Sequence, residues 1–385
     1  MPAFNTQLQK DEALDLLYNV INIKTVNPEG KEAVLAEFIA SYLYNSGCSI
    51  EVEEFSAGRA NVTAVLKGRR NGKALLINGH LDTVPFGDRD GWDSPPDFAA
   101  VKGGRLYGRG SSDMKSGLCA MLYAFRRLAL EGFAPQRDII FLGTGDEETS
   151  GLGAQAAIKS GLLDRVGRII IAEPTGNKIS VASKGTLWLE FQIHGKTSHG
   201  AYPWEGINAA EIALQLYSEL KTLVRGEKHP HLTEPTCTLT KIQGGVKANM
   251  VPDCCTMTSD IRTVPLLDHK RLLASVEQLL KHIEEYTGAR LEYKVLTDRK
   301  AVEISSEDML VKDLSESVRA VCGNSPALTG TSFFSDASIF LTLYELPAVL
   351  FGPGESSEAH KPNESVLLEK YYEAVEGYYH FLRKQ

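Results

Sequence analysis

Four acidic or imidazole-bearing stretches stand directly behind short apolar runs. Lys73–Asn78 (KALLIN) is followed by Gly79, His80, Leu81 and Asp82, and Asp138–Leu142 (DIIFL) by Gly143 through Asp146, Glu147 and Glu148. Arg168–Ala172 (RIIIA) leads to Glu173, and Leu346–Phe351 (LPAVLF) to Glu355, with His360 a short loop further on. Asp113 ends a glycine-rich turn at the start of a helix candidate, Asp113–Glu131. Almost wholly apolar runs suit strands buried on both faces of a parallel sheet. Ligands of such sheets bind beyond the carboxyl ends of the strands, so all these groups are delivered to one rim. Carboxylates crowded there repel one another unless a cation sits between them. Imidazole plus carboxylate donors suit zinc, with cobalt or manganese as further options. Two ions about 3.5–4 Å apart need a bridging carboxylate and a histidine at each end. His80, Asp113, Glu148, Glu173 and His360 supply that inventory.

Taken singly, each residue has a plainer reading. His80 could be a satisfied core histidine, Asp113 an ordinary helix N-cap, and Glu147 and Glu148 a solvated acidic turn. Glu173 could be a loop charge before a proline, and His360 an exposed loop residue. Only their joint position behind buried strands favours chemistry.

The elements that must position them alternate in texture. Up to about residue 182, the apolar runs alternate with amphipathic helices at Asp11–Val20 and Glu32–Ser46. From about 183 to 296 the pattern changes. Thr186–His194 alternates as a half-buried strand. Helix Asn208–Val224, strands Thr236–Ile242 and Cys254–Thr263, helix Asp268–Tyr286 and strand Leu291–Leu296 follow. The order β-α-β-β-α-β is the split ferredoxin-like pattern. The expected architecture is α/β, a mixed, mostly parallel sheet flanked by helices, with an inserted ferredoxin-like α+β domain. The divided domain is residues 1–182 and 297–385, and the insert is 183–296. On the insert, Arg262 shares a strand face with Asp260 and could simply pair with it.

Composition narrows the function. The 385 residues carry 41 Lys and Arg against 49 Asp and Glu, a formal charge of −8. That balance argues against a nucleic-acid partner and against an anionic membrane surface. No apolar run approaches the roughly 20 residues of a membrane span, and no signal-peptide pattern opens the chain. The six cysteines form no C-x-x-C pair, so a reducing, cytoplasmic location is expected. Gly195-Lys196-Thr197 ends like a phosphate loop but has Glu190 where the first glycine belongs, and no G-x-S-x-G elbow occurs.

The stretches NGHLDTVP, YGRGSSDMKSG, GTGDEETSG, IAEPT and FGPGESSEAHKPNE, with GKTSHGAYPWEGINA, ANMVPD and SDIRTVP in the insert, resemble the M20 family of co-catalytic metallopeptidases and deacylases. The resemblance implies a zinc-dependent exopeptidase-like catalytic domain holding two divalent ions and an insert that serves as lid and dimerisation domain. It implies that His80 and Glu173 hold one ion, Glu148 and His360 the other, and that Asp113 bridges them. Asp82 would orient His80, and Glu147 would be the general base, moving a proton from water to the leaving amine. His199 would polarise the scissile carbonyl, often from a partner subunit in this family. Arg262 and Asn249 would bind the substrate carboxylate and nearby polar atoms, with the Gly330-Thr331-Ser332 turn lining the pocket. The implied substrate is a small N-acyl amino acid or short peptide. The acetylornithine deacetylase group looks closest, with succinyl-diaminopimelate desuccinylase, or a dipeptidase or carboxypeptidase, as alternatives. A different class, a non-catalytic metal-binding protein on the same fold, is disfavoured by the presence of Glu147 beside all five ligands.

Overall fold

The computed structural model describes residues 6–226 and 228–385. It divides into two compact units. The first comprises residues 1–181, 304–329 and 335–385; the second comprises 182–303 and 330–334. The sequence pattern placed the return at 297, whereas the second unit extends to Glu303. The reason is strand length: the last strand of the insert runs over Arg290–Arg299, one residue before and three residues beyond the Leu291–Leu296 expected from the sequence.

Four parallel strands form the centre of the first unit, in the spatial order Ile139–Thr144, Ala74–His80, Val166–Ile171 and Ala348–Leu350. The first two are buried at every position, which explains their uninterrupted apolar sequence. Two antiparallel strands, Arg59–Leu66 and then Ser49–Ser56, extend one edge. Their mixed polarity hid them from sequence reading. Helix Lys115–Leu130 is almost wholly buried, and Leu368–Leu382 buries Tyr371, Tyr378, Phe381 and Leu382. Helix Gln7–Asn22 packs against the first of these.

Asp113 does not open its helix. The helix begins at Lys115 with Met114 at the N-cap and no side-chain cap bond. Asp113 is therefore released from capping and its carboxylate turns to two histidines instead. Gly117 explains how closely this helix approaches the sheet. A Cβ there would lie 2.0 Å from the carbonyl oxygen of Ala172.

The second unit has strands Gly185–His194, Thr236–Gly244, Cys254–Thr263 and Arg290–Arg299, with helices Ala209–Leu223 and His269–Thr287. Its antiparallel sheet follows the order Thr236–Gly244, Cys254–Thr263, Gly185–His194, Arg290–Arg299. The helices are capped by Asn208 and Asp268, each accepting backbone N–H bonds. Leu187, Leu189, Phe191 and Ile193 join Met257 and Ile261 under the helices, leaving the alternate residues on the other face.

Gly117→Ala is expected to destabilise the protein by at least about 2 kcal/mol through overpacking. Thermal unfolding of the first unit checks this; an unchanged midpoint would show that the helix can retreat.

Candidate active site

The carboxyl ends of the four central strands carry the candidate residues of the first unit. His80 is the last residue of its strand. Its Nδ1 lies 2.9 Å from the backbone carbonyl of Asp82, and its Nε2 lies 3.2 Å from Asp113 Oδ1. The other oxygen of Asp113 is 3.4 Å from His360 Nε2. That same nitrogen is 3.1 Å from Glu148 Oε1. One carboxylate thus faces two imidazoles, one on each oxygen. Donor atoms of His80, Asp113 and Glu148 lie within 4.8 Å of one another. Glu173, two residues past its strand, is buried beside this group but is not within that tight cluster. Glu147 is buried, and its Oε1 has no hydrogen-bond partner.

The electrostatics follow from crowding without a cation. Burial pushes the pKa of Glu147 well above the usual carboxylate range; His80 opposes this, while Glu173, Asp336 and Glu148 add to it. Burial and the Asp113 charge do the same to Glu173, and Glu148 is raised for the same two reasons. Burial also works on Asp113, but the bonds from His360 and His80 win and hold it low. Those bonds raise His80 against its burial. Asp113 and Glu148 lift His360 to about 10. These shifts run in the direction expected of acids crowded together in a buried site. An all-oxygen and imidazole donor set around an orphaned buried carboxylate oxygen fits such ions.

Asp82 meets the His80 ring through its backbone carbonyl rather than its carboxylate. Its carboxylate stands 3.7 Å from His80 Nδ1, and the ring nitrogen is served by the Asp82 backbone carbonyl. The carboxylate instead accepts the backbone N–H groups of Glu147 at 3.0 Å and Glu148 at 3.1 Å. It also accepts a 2.6 Å bond from Asn27 Nδ2. Asn27 Oδ1 accepts from Arg59 Nη2 at 2.7 Å, and Arg59 pairs with the buried carboxylates of Glu32 and Asp146. Burial disfavours the Arg59 charge, but Glu32 first and then Asp146 and Asp82 raise its pKa. Asp146 has a left-handed backbone, φ 68°, an unfavourable state for a side-chain-bearing residue. Arg59 and the Leu152 N–H hold its carboxylate there. One guanidinium thus fixes the turn that carries Glu147 and Glu148.

A second support lies under Asp113. The buried carboxylate of Glu364 accepts the backbone N–H groups of Gly110, Ser112 and Asp113 at 3.1, 2.8 and 3.0 Å. Arg109 Nη1 donates to it at 2.6 Å. Sequence reasoning missed Asn27, Arg59, Glu32, Arg109 and Glu364 as site residues. Two of these carried a signal: Glu364 closes the FGPGESSEAHKPNE stretch and Arg109 lies in YGRGSSDMKSG; Asn27, Arg59 and Glu32 lie in none of the quoted stretches.

The remaining candidates belong to the second unit. His199 is exposed, and its Nδ1 accepts the Ala201 N–H at 3.1 Å. That bond places the proton of the neutral ring on Nε2, a donor free for a substrate oxygen. Gly200 N–H donates to the Asn249 carbonyl at 2.8 Å, so the two loops lie side by side. The Arg262 fork is taken by Asp260, at 2.9 and 3.0 Å. Gly330 and Thr331 do not form a turn; they end the strand Leu328–Thr331, and Ser332 follows, exposed. A Cβ at Gly330 would lie 2.4 Å from the His231 carbonyl oxygen.

Helix-flanked parallel strands ending in His and carboxylate donors define a metallohydrolase. The family profile described as peptidase family M20/M25/M40 matches residues 76–384, and the chain belongs to that family. A probable succinyl-diaminopimelate desuccinylase of Staphylococcus epidermidis is 30% identical, with 97% of each chain covered. The aminopeptidase PepT of Bacillus cereus shares the fold with a TM-score of 0.80 at 19% identity, covering 97% of this chain and 98% of that one. A dinuclear metal-binding M20 peptidase of Bacillus subtilis superposes with a TM-score of 0.75 at 18% identity, covering 97% of each. The chain is thus a metal-dependent hydrolase of the amide-cleaving M20 type. Among the described residues no helix is long and apolar enough to cross a membrane.

Two outcomes are expected. Removing Arg59 as Arg59→Met strands Glu32 and Asp146 without their counter-charge, costing roughly 3–5 kcal/mol by chemical denaturation. The metal-free protein is expected to lose stability as pH rises. Glu147, Glu148, Glu173, His80 and His360 all have raised pKa values. Their contribution is complete below the unfolded values, about 4.3 for Glu and 6.5 for His, and fades as pH climbs through the folded ones. Melting temperature measured from about pH 5 to 9 should fall, and saturating zinc should remove the slope; a flat metal-free profile would contradict the charge crowding.

Proposed function

We propose that the protein hydrolyses the amide bond of a small N-acyl amino acid or short peptide bearing a free carboxylate. The observation that carries this reading is the buried, unpartnered Glu147 Oε1 beside the His80–Asp113–Glu148–His360 cluster. His80 and Glu173 would hold one divalent ion, Glu148 and His360 the second, with Asp113 between them. Zinc suits these donors best, and cobalt or manganese would also bind. Such ions, when bound, supply Lewis-acid polarisation and acidify a water toward neutral pH. Glu147 would act as the general base and acid, accepting a proton from the attacking water and giving it to the leaving amine. Its buried Oε1, which has no hydrogen-bond partner among the described residues, is available for that proton. Asp82 positions Glu147 through its backbone N–H. His199 Nε2 donates to the carbonyl oxygen as charge develops there, and Asn249 and Arg262 contribute to holding the polar end of the substrate, with Thr331 nearby.

The relative's name supports an acidic acyl group, as in desuccinylation, ahead of the acetyl group of an acetylornithine-type substrate; the same machinery would serve either. The second unit would act as lid and as the pairing surface of a homodimer, in the cytoplasm.

A panel of N-succinyl and N-acetyl amino acids and dipeptides, assayed for released amine with zinc, cobalt and manganese, tests the reading. Hydrolysis abolished by chelator is expected. No turnover of any member by metal-loaded protein would favour a binding role instead. Glu147→Ala should keep its metal while turnover drops by roughly 10²–10⁴; a variant that lost the metals would be missing a ligand, not a base.

A further inference from the structure

A cavity of about 240 Å³ opens in the first unit where three helices meet. Helix Gln7–Asn22 contributes Glu12, helix Glu32–Leu43 contributes Tyr42, and helix Lys115–Leu130 contributes Tyr123, Arg126 and Leu130. Arg126 comes eleven residues after Lys115, roughly 16 Å along the helix axis. The cavity therefore lies at the opposite end of that helix from the Asp113 loop. Most charges around it are satisfied. Arg127 pairs with Glu131 and with Glu376, each at 3.1 Å, and Glu131 also accepts from Tyr379 and Arg383. Two charges are left open. Arg126 Nε donates to the Tyr42 carbonyl at 2.7 Å, and the guanidinium stacks on the Tyr42 ring, 4.4 Å from its centroid. Among the described residues no carboxylate pairs with the two Nη groups. The Tyr123 hydroxyl donates to Glu12 Oε2 at 3.0 Å, while Glu12 Oε1 accepts nothing from the described residues. Arg126 and Glu12 line the same cavity but form no ion pair with each other. Arg126 is half-buried and Glu12 is exposed, so a small solute can reach both.

A stacked guanidinium with its Nη edge open is suited to a planar carboxylate. Glu12 disfavours a purely anionic solute there, and Arg126 disfavours a purely cationic one. A molecule that carries both charges on one carbon satisfies the two groups together. The rest of the wall is aromatic and aliphatic, from Tyr42, Tyr123 and Leu130, and so favours an apolar side chain. The volume falls below the roughly 300–1,000 Å³ of sites for drug-sized ligands, which restricts the occupant to a small one. We propose that this cavity is a non-catalytic binding site for a small, free, apolar α-amino acid, its carboxylate on the Nη edge of Arg126 and its ammonium on Glu12. The site needs no metal and no turnover, and it stands independently of the hydrolase reading.

Calorimetric titration of the full-length, zinc-loaded protein with L-valine, repeated after chelation, tests this. The same binding constant is expected in both states; binding lost on chelation would assign valine to the metal centre and overturn the proposal. Isovalerate lacks the ammonium of valine, and isobutylamine lacks its carboxylate. Each should bind at least about tenfold more weakly, the loss of one charge-assisted contact. Equal binding of either analogue, or of inorganic phosphate, would make the cavity a site for a single charge and overturn the zwitterion assignment. Arg126→Met should weaken valine by a similar factor. Glu12→Gln keeps an acceptor for the Tyr123 hydroxyl and loses only the charge, so it decides the matter if Arg126→Met unfolds. Valine affinity unchanged in Glu12→Gln, or in a folded Arg126→Met, overturns the proposal, as does no binding to wild type at about 10 mM. None of these outcomes touches the hydrolase reading, and failure of the substrate panel would leave this site standing.

Discussion

Four carboxylates brought within reach of one another in a nearly dry pocket set the terms for the rest of this structure. Their repulsion grows as water is excluded; burial first, and then like charge, pushes the pKa of Glu147 and Glu173 up, and the acids raise His80 and His360 in turn. No apolar packing removes that tension. A cation, or a proton in its stead, is part of the folded architecture of the first unit.

Holding the acids in place despite this repulsion demands stiff supports, and the molecule has two of distinct design. The Asp146–Glu148 turn is tied by a chain of polar contacts from Glu32 through Arg59 and Asn27 to Asp82. The Asp113 loop is gathered by the single carboxylate of Glu364, which accepts three peptide N–H groups and an arginine. Both keep a charged side chain pointing toward like charge, a task that helix and strand propensity cannot perform. Glycine helps where space rather than charge is limiting: a Cβ at Gly354 would sit 2.0 Å from the Ser112 carbonyl oxygen, so the stretch leading to His360 can lie against the Asp113 loop.

How much of this was legible in the sequence depended on whether a residue's neighbours are close in the chain. KALLIN, DIIFL and RIIIA each betrayed a strand buried on both faces, and the residues behind them proved to share one rim. The alternation of Thr186–His194 likewise disclosed which side chains lie under the helices. Strands Ser49–Ser56 and Arg59–Leu66 stayed hidden because one is at an edge and the other begins with a charge whose partners lie far along the chain. Asp113 looked like a helix cap, since nothing local reveals that His80 and His360 compete for its carboxylate. The resemblance implied that Asp82 orients the His80 ring; its own backbone carbonyl meets that ring, and its carboxylate accepts peptide N–H groups. His229 is buried against Glu303, 74 residues along the chain, a contact no local pattern marks. Contacts made by long-range polar bonds leave no periodicity behind.

The position of Glu364 in the chain has a biosynthetic corollary. Asp113 depends on a carboxylate 251 residues downstream, and His360 precedes it by only four residues. Synthesis must therefore run 251 residues past Asp113 before the loop around it has its organising carboxylate. A fragment that stops short of His360 lacks both groups.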